Sequence, residues 1–131
     1  MSNIIVLAED EPVLGQVAQT ALEKAGYIVF WRTNGLDAWE SIETSHPDLV
    51  ILDHNMPGLT GGEVLAKTKA SPQTRGIPVL MASANADRMS IVASLKAGAA
   101  DYLVRPFPMP VLVERVNRIL AAQGGQLARL A

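Results

Sequence analysis

Five short apolar runs punctuate the chain, and each leads into a longer stretch where apolar residues recur every three or four positions. The runs are Ile4–Ala8, Tyr27–Trp31, Leu49–Leu52, Val79–Ala82 and Tyr102–Val104. The first, third and fourth are nearly all apolar, as expected of strands covered on both faces. Between the first two, Val13, Leu14, Val17, Ala18, Ala21, Leu22 and Ala25 form a helical stripe that Gly26 closes just past its end. Leu36, Trp39 and Ile42 repeat on a second helix, which must stop before Pro47 because proline pushes the preceding residue out of helical geometry. Val64, Leu65 and Thr68 mark a third helix ending near Ser71-Pro72. Ile91, Val92 and Leu95 mark a fourth, closed by Gly98, and Leu112, Val113, Val116, Ile119 and Leu120 a fifth.

Five strand–helix units of this length predict an α/β fold, a doubly wound five-stranded parallel sheet with five helices on its two faces and right-handed crossovers. Such sheets take the flavodoxin-like order 2-1-3-4-5 and bind ligands at the switch point between strands 1 and 3. Both of those strands end in acid: Glu9-Asp10 follow the first and Asp53 the third. Carboxylates gathered at one sheet edge repel unless a cation lies between them, so the pattern points to a metal site.

Composition narrows the classes. The 131 residues suffice for one domain with a core, read as 1–123, with a flexible tail or the start of a linker from Gly124-Gly125-Gln126 (124–131). A content of 49% hydrophobic and 18% charged residues argues against disorder. The net charge of −2 offers no basic footprint for nucleic acid. The absence of cysteine excludes disulfides and thiolate metal sites. No apolar run approaches a membrane span and the N-terminus lacks a signal-peptide pattern, so a cytoplasmic location is the expectation.

Taken singly, the polar features have ordinary explanations. Glu9-Asp10-Glu11-Pro12 suits a helix N-terminus, where acids and proline are favoured. Asp53 ahead of Asn55 and Pro57-Gly58 suits a turn. Ser83 at a strand end, Tyr102 on a short strand, and Trp31 and Trp39 read as packing residues, and His46 and His54 as loop residues. Joint occurrence at four strand ends favours a site over these separate explanations.

The ordered set is Glu9-Asp10 after strand 1; Asp53, Met56-Pro57 and Gly61 after strand 3; Ser83-Ala84 after strand 4; Gly98-Ala99-Ala100-Asp101-Tyr102 into strand 5; and Arg105-Pro106-Phe107 after it. Over roughly Asn3 to Ala122 the chain thereby resembles the receiver domain of bacterial response regulators. The resemblance implies a phospho-accepting switch of a two-component His–Asp phosphorelay, not an enzyme in the turnover sense. Asp53 would accept the phosphoryl group from a histidine kinase or phosphotransfer protein. Mg²⁺ would be held by Asp10, Asp53 and the backbone carbonyl of Asn55, with Glu9 in the outer shell or as a direct ligand. Ser83 and Arg105 would meet the phosphoryl oxygens. Ser83 and Tyr102 would form the switch pair that reshapes the helix 4–strand 5–helix 5 surface, read by a downstream protein or an appended output domain. Direct nucleic-acid binding by this chain and a membrane partner are not implied.

Two positions depart from the family pattern. Arg105 stands where the family has Lys, and its planar fork is expected to pair at two points with Asp53 or Asp10. The departure opens an alternative, a pseudo-receiver acting as a phosphorylation-independent interaction module. Ala100 stands where many DNA-binding members carry an additional acid. That weakens the case for their helix 4–strand 5–helix 5 dimer, although Asp101 and Arg115 remain available. Two other functions fare worse. A flavin site would need a phosphate-receiving loop where Glu9-Asp10-Glu11 stand. An Asp-nucleophile hydrolase would need a cap for which the chain has no length.

Overall fold

The computed structural model describes the backbone of residues 3–130 and the side chains of residues 3–123. Strands and helices alternate in the order β1 (Ile4–Ala8), α1 (Pro12–Lys24), β2 (Ile28–Arg32), α2 (Gly35–Ser45), β3 (Leu49–Leu52), α3 (Gly61–Ala70), β4 (Val79–Ser83), α4 (Arg88–Lys96), β5 (Asp101–Val104) and α5 (Met109–Leu130). All four strand pairs are parallel and the sheet order is β2-β1-β3-β4-β5, as the pattern predicts.

Period-two alternation along the central strands divides the core. Val6, Ala8, Val50 and Leu52 face one side, where Ala38 and Ile42 of α2 and Val64 and Leu65 of α3 cover them. Ile5, Leu7, Leu49 and Ile51 face the other, under Ala18 and Leu22 of α1 and Leu112 and Val116 of α5. β3 is buried along its whole length. Each such Leu or Ile contributes roughly 1.5–3 kcal/mol by leaving water. Two buried faces on the central strands therefore hold their carboxyl ends rigidly at one edge.

Local chemistry sets the helix ends. The Glu11 side chain accepts from the Val13 and Leu14 amides, with Pro12 in the first turn. Asn34 caps α2, and Thr60 with Glu63 forms a reciprocal capping box on α3, whose hydrogen bonds lower the Glu63 pKa. α2 ends at His46 in left-handed geometry (φ 47°), just ahead of the proline. Gly26 and Gly98 turn the chain after α1 and α4, as expected from the sequence.

The apolar stripes are not all core. Val13, Val17, Leu36, Val92 and Leu95 are exposed, and among the described residues of α4 only Ser94 is buried. The backbone of α5 continues as helix through Gly124-Gly125 to Leu130, so the glycines do not end it. Good helix formers follow in Gln126, Leu127, Ala128 and Arg129, and these offset the cost of about 1 kcal/mol per glycine. The side chains of 124–131 lie outside the described residues, and the boundary between domain and tail stays a proposal.

Candidate functional site

The carboxyl ends of β1 and β3 deliver three acids to one place. Glu9, Asp10 and Asp53 each present a carboxylate oxygen, and these oxygens lie within 4.8 Å of one another. Their surroundings differ. Asp53 is only 2% exposed; its amide bonds to the Ala8 carbonyl (3.3 Å) and its Oδ1 accepts from the Asn55 amide (3.3 Å). Glu9 is also buried and accepts from the Glu11 amide at 3.0 Å, whereas Asp10 is exposed at the mouth. The acidic run thus divides its work: Glu11 caps the helix, and Glu9 and Asp10 belong to the cluster. The capping explanation holds for one residue of the three.

Arg105 closes the cluster from the end of β5. Its Nη2 donates to Asp53 Oδ2 at 2.8 Å and its Nη1 to Glu9 Oε1 at 3.1 Å. The expected pairing with Asp53 is present, but the two points are split between Asp53 and Glu9, and Asp10 receives neither. Depth explains the choice, because Glu9 is buried alongside Asp53 while Asp10 faces water. The remaining guanidinium nitrogen, Nε, is buried without a partner among the described residues. Burial, reinforced by Asp53 and Asp10, raises the Glu9 pKa to about 6 against the opposing pull of the Glu11 amide and Arg105. A raised carboxyl stabilises the fold in its protonated form. That contribution is complete below pH about 4.5 and is lost as pH rises through about 6.

Ser83 and Tyr102 come from the neighbouring strands and share a single partner. Ser83, fully buried, accepts the Asn85 amide on its Oγ (3.2 Å), and the Tyr102 hydroxyl donates to the Asn85 carbonyl (2.7 Å). Tyr102 is buried, as a packing residue would be. Asn85 is therefore the joint between the two residues, and the sequence reading did not single it out.

Close backbone approaches fix the loops. A Cβ on Gly61 would stand 2.0 Å from the Asp53 carbonyl oxygen, and its amide bonds to the His54 carbonyl at 3.0 Å. Gly61→Ala is expected to push the loop off β3 and cost about 1–3 kcal/mol or more. It should be read as a lower urea midpoint at unchanged slope. Trp31, assigned to packing, also donates Nε1–H to the Glu9 carbonyl at 2.9 Å. Its indole lies against Gly15, where a Cβ would fall 2.1 Å from the ring. The isolated glycine in the first helical stripe was the signal of that approach. His54 stands in the β3–α3 loop, yet its ring packs on Tyr102 (5.7 Å between centroids) and its Nε2 lies 3.2 Å from Ser94 Oγ.

Comparison with known proteins identifies the family and the fold. The family described as the response regulator receiver domain matches residues 5–117. The transcriptional regulatory protein CseB of Streptomyces coelicolor is 36% identical over 120 residues, covering 92% of this chain and 50% of that protein. The phosphate regulon transcriptional regulatory protein PhoB of Rhizobium meliloti is 34% identical over 116 residues, 88% of this chain and 51% of the relative. The chain spans about half the length of the curated relatives it matches. Among solved structures, the CheY-like receiver domain protein of Methanospirillum hungatei JF-1 superimposes with a TM-score of 0.90 at 25% identity, covering 96% of this chain and 99% of that one. The receiver domain of Francisella response regulator 1452 gives 0.87 at 28% identity, over 93% and 99%. The fold and the acidic edge define a two-component signalling module. The chain belongs to the response regulator receiver family.

Proposed function

We propose that the chain is a phosphorylation-controlled switch with Asp53 as the acceptor. The observation that carries this is a buried carboxylate at the end of β3, grouped with Glu9 and Asp10 and held by Arg105. An Asp53 carboxylate oxygen attacks the phosphorus of a phosphohistidine on a kinase or phosphotransfer protein. The new O–P bond replaces the N–P bond, whose electron pair returns to the imidazole. Arg105 and Ser83 would donate to phosphoryl oxygens. When Ser83 Oγ turns to an oxygen it releases the Asn85 amide, which loosens the joint to Tyr102 and alters the α4–β5–α5 surface. Arg115 and Asp101, 2.5 Å apart on that surface, offer charges for a partner or a second copy. The relatives named as transcriptional regulators, about twice this length, support an appended output domain.

The all-oxygen donor set fits Mg²⁺. Asp10, Asp53 and the Asn55 carbonyl would hold the ion, with Glu9 in its outer shell or bound directly. When bound, it neutralises charge between the carboxylates and the incoming phosphoryl oxygens. Millimolar Mg²⁺ should raise the melting temperature; at ten times the dissociation constant the gain is about 1.4 kcal/mol. Asp10→Ala should remove most of this gain, and a parent insensitive to Mg²⁺ counts against the site.

The pseudo-receiver alternative is favoured by one observation, the Arg105 fork already engaging both buried acids. A small phosphodonor with Mg²⁺ separates the readings. The switch gains one phosphoryl by intact mass and loses that labelling in a chelator, whereas the pseudo-receiver gains none.

A further inference from the structure

Besides Ser83 and Tyr102, a second physical connection leaves the acceptor and ends on α4. His54 follows Asp53 directly, so any shift of the β3–α3 loop moves it. The loop is tied down at the Gly61 amide, which bonds to the His54 carbonyl itself. The His54 side chain then leaves the loop in a fixed direction. Its ring lies tilted by 39° against the Tyr102 ring, 5.7 Å between centroids, and its Nε2 meets Ser94 Oγ at 3.2 Å. The hydrogen can lie on either atom, depending on the tautomer.

The far end of this connection is unusual for its helix. α4 presents Met89, Val92 and Leu95 to solvent and buries only Ser94 among its described residues. The helix has no side-chain N-cap hydrogen bond. An element with so little buried apolar surface is held weakly, and one polar contact is a large share of what fixes it. A hydrogen bond that has been desolvated costs more to lose than an exposed one.

Resting on the phospho-acceptor reading above, we propose that His54 is a positioning residue coupling the acceptor loop to α4 through Ser94. It would act in parallel with the Ser83–Asn85–Tyr102 joint. Phosphorylation of Asp53 displaces the loop that carries His54. The ring then drags or releases Ser94 Oγ, and α4 changes its seating while the ring's contact with Tyr102 keeps β5 in step. Coupling of this kind needs an element with two arrangements biased from both ends, and a sparsely packed helix supplies one.

The test leaves the acceptor site itself intact. Ser94→Ala deletes the hydroxyl, Ser94→Thr retains it, and His54→Phe retains the ring against Tyr102 while losing Nε2. Each full chain is labelled with acetyl phosphate and Mg²⁺, followed by intact mass, and amide shifts are recorded before and after. Labelling rates should stay within about twofold of the parent, a barrier change below roughly 0.4 kcal/mol. The phosphorylation-dependent shifts across Arg88–Lys96 should fall to less than half in Ser94→Ala and His54→Phe, and recover in Ser94→Thr. Shifts at Ser83 and Ala84 should persist. The double variant should be no worse than either single one, since both remove the same contact. A full α4 response in both single variants overturns the coupling and leaves the acceptor reading standing. A parent that takes up no phosphoryl overturns both.

Discussion

Asp53→Asn should abolish phosphoryl uptake while leaving a folded chain. The amide keeps size and hydrogen-bonding capacity but has no nucleophilic oxygen anion. Intact mass after a phosphodonor and Mg²⁺ should therefore remain that of the unmodified variant, against one added phosphoryl in the parent. Stability should change little, for a reason the site makes explicit. Stripping one partner from a buried ion pair commonly costs about 3–5 kcal/mol because the other charge is stranded. Arg105 is not stranded here: Nη1 keeps Glu9, and the Asn oxygen can still accept from Nη2. Removing one of three mutually repelling carboxylates offsets part of the remaining loss. Asp53→Ala lacks that acceptor and should be the less stable of the two. Equal labelling of parent and Asp53→Asn would move the acceptor elsewhere, with Asp10 the next candidate.

The layout of this site was legible in the sequence to the extent that strand chemistry dictates it. Runs such as Leu49–Leu52 are apolar throughout because both faces are covered, so the first acid after each run had to lie at the sheet edge. Topology then brought β1 and β3 side by side, and Glu9, Asp10 and Asp53 with them. Side-chain choices beyond that point were hidden. Glu9 and Asp10 are consecutive, and nothing in their order says that the first goes down to Arg105 while the second stays at the mouth. Periodicity marked Val92 and Leu95 as an apolar stripe, but periodicity does not say what covers a stripe, and both remain exposed. Contacts made by polar tips, such as Trp31 to the Glu9 carbonyl and His54 to Ser94, depend on through-space neighbours 22 and 40 residues away. No local pattern encodes those.

Arg105→Lys should accelerate phosphorylation. In the resting site the guanidinium spans two buried carboxylates, with one nitrogen 2.8 Å from Asp53 and another 3.1 Å from Glu9. It supplies the positive charge that a divalent cation would otherwise bring, and it holds the nucleophile in a charge-assisted bond that must loosen before attack. An ammonium is a single compact point charge without the fork, so it can satisfy Asp53 while releasing Glu9. One charge-assisted hydrogen bond, about 1.5–3 kcal/mol, then no longer opposes rearrangement. If roughly half of the lower figure appears in the barrier, labelling speeds up about threefold to fourfold. The apparent affinity for Mg²⁺, followed by its effect on melting temperature, should rise as well, because the cation competes with one bond instead of two. Unchanged labelling together with unchanged Mg²⁺ response would mean that the two-point contact imposes no barrier, and that arginine at this position is equivalent to the family's lysine.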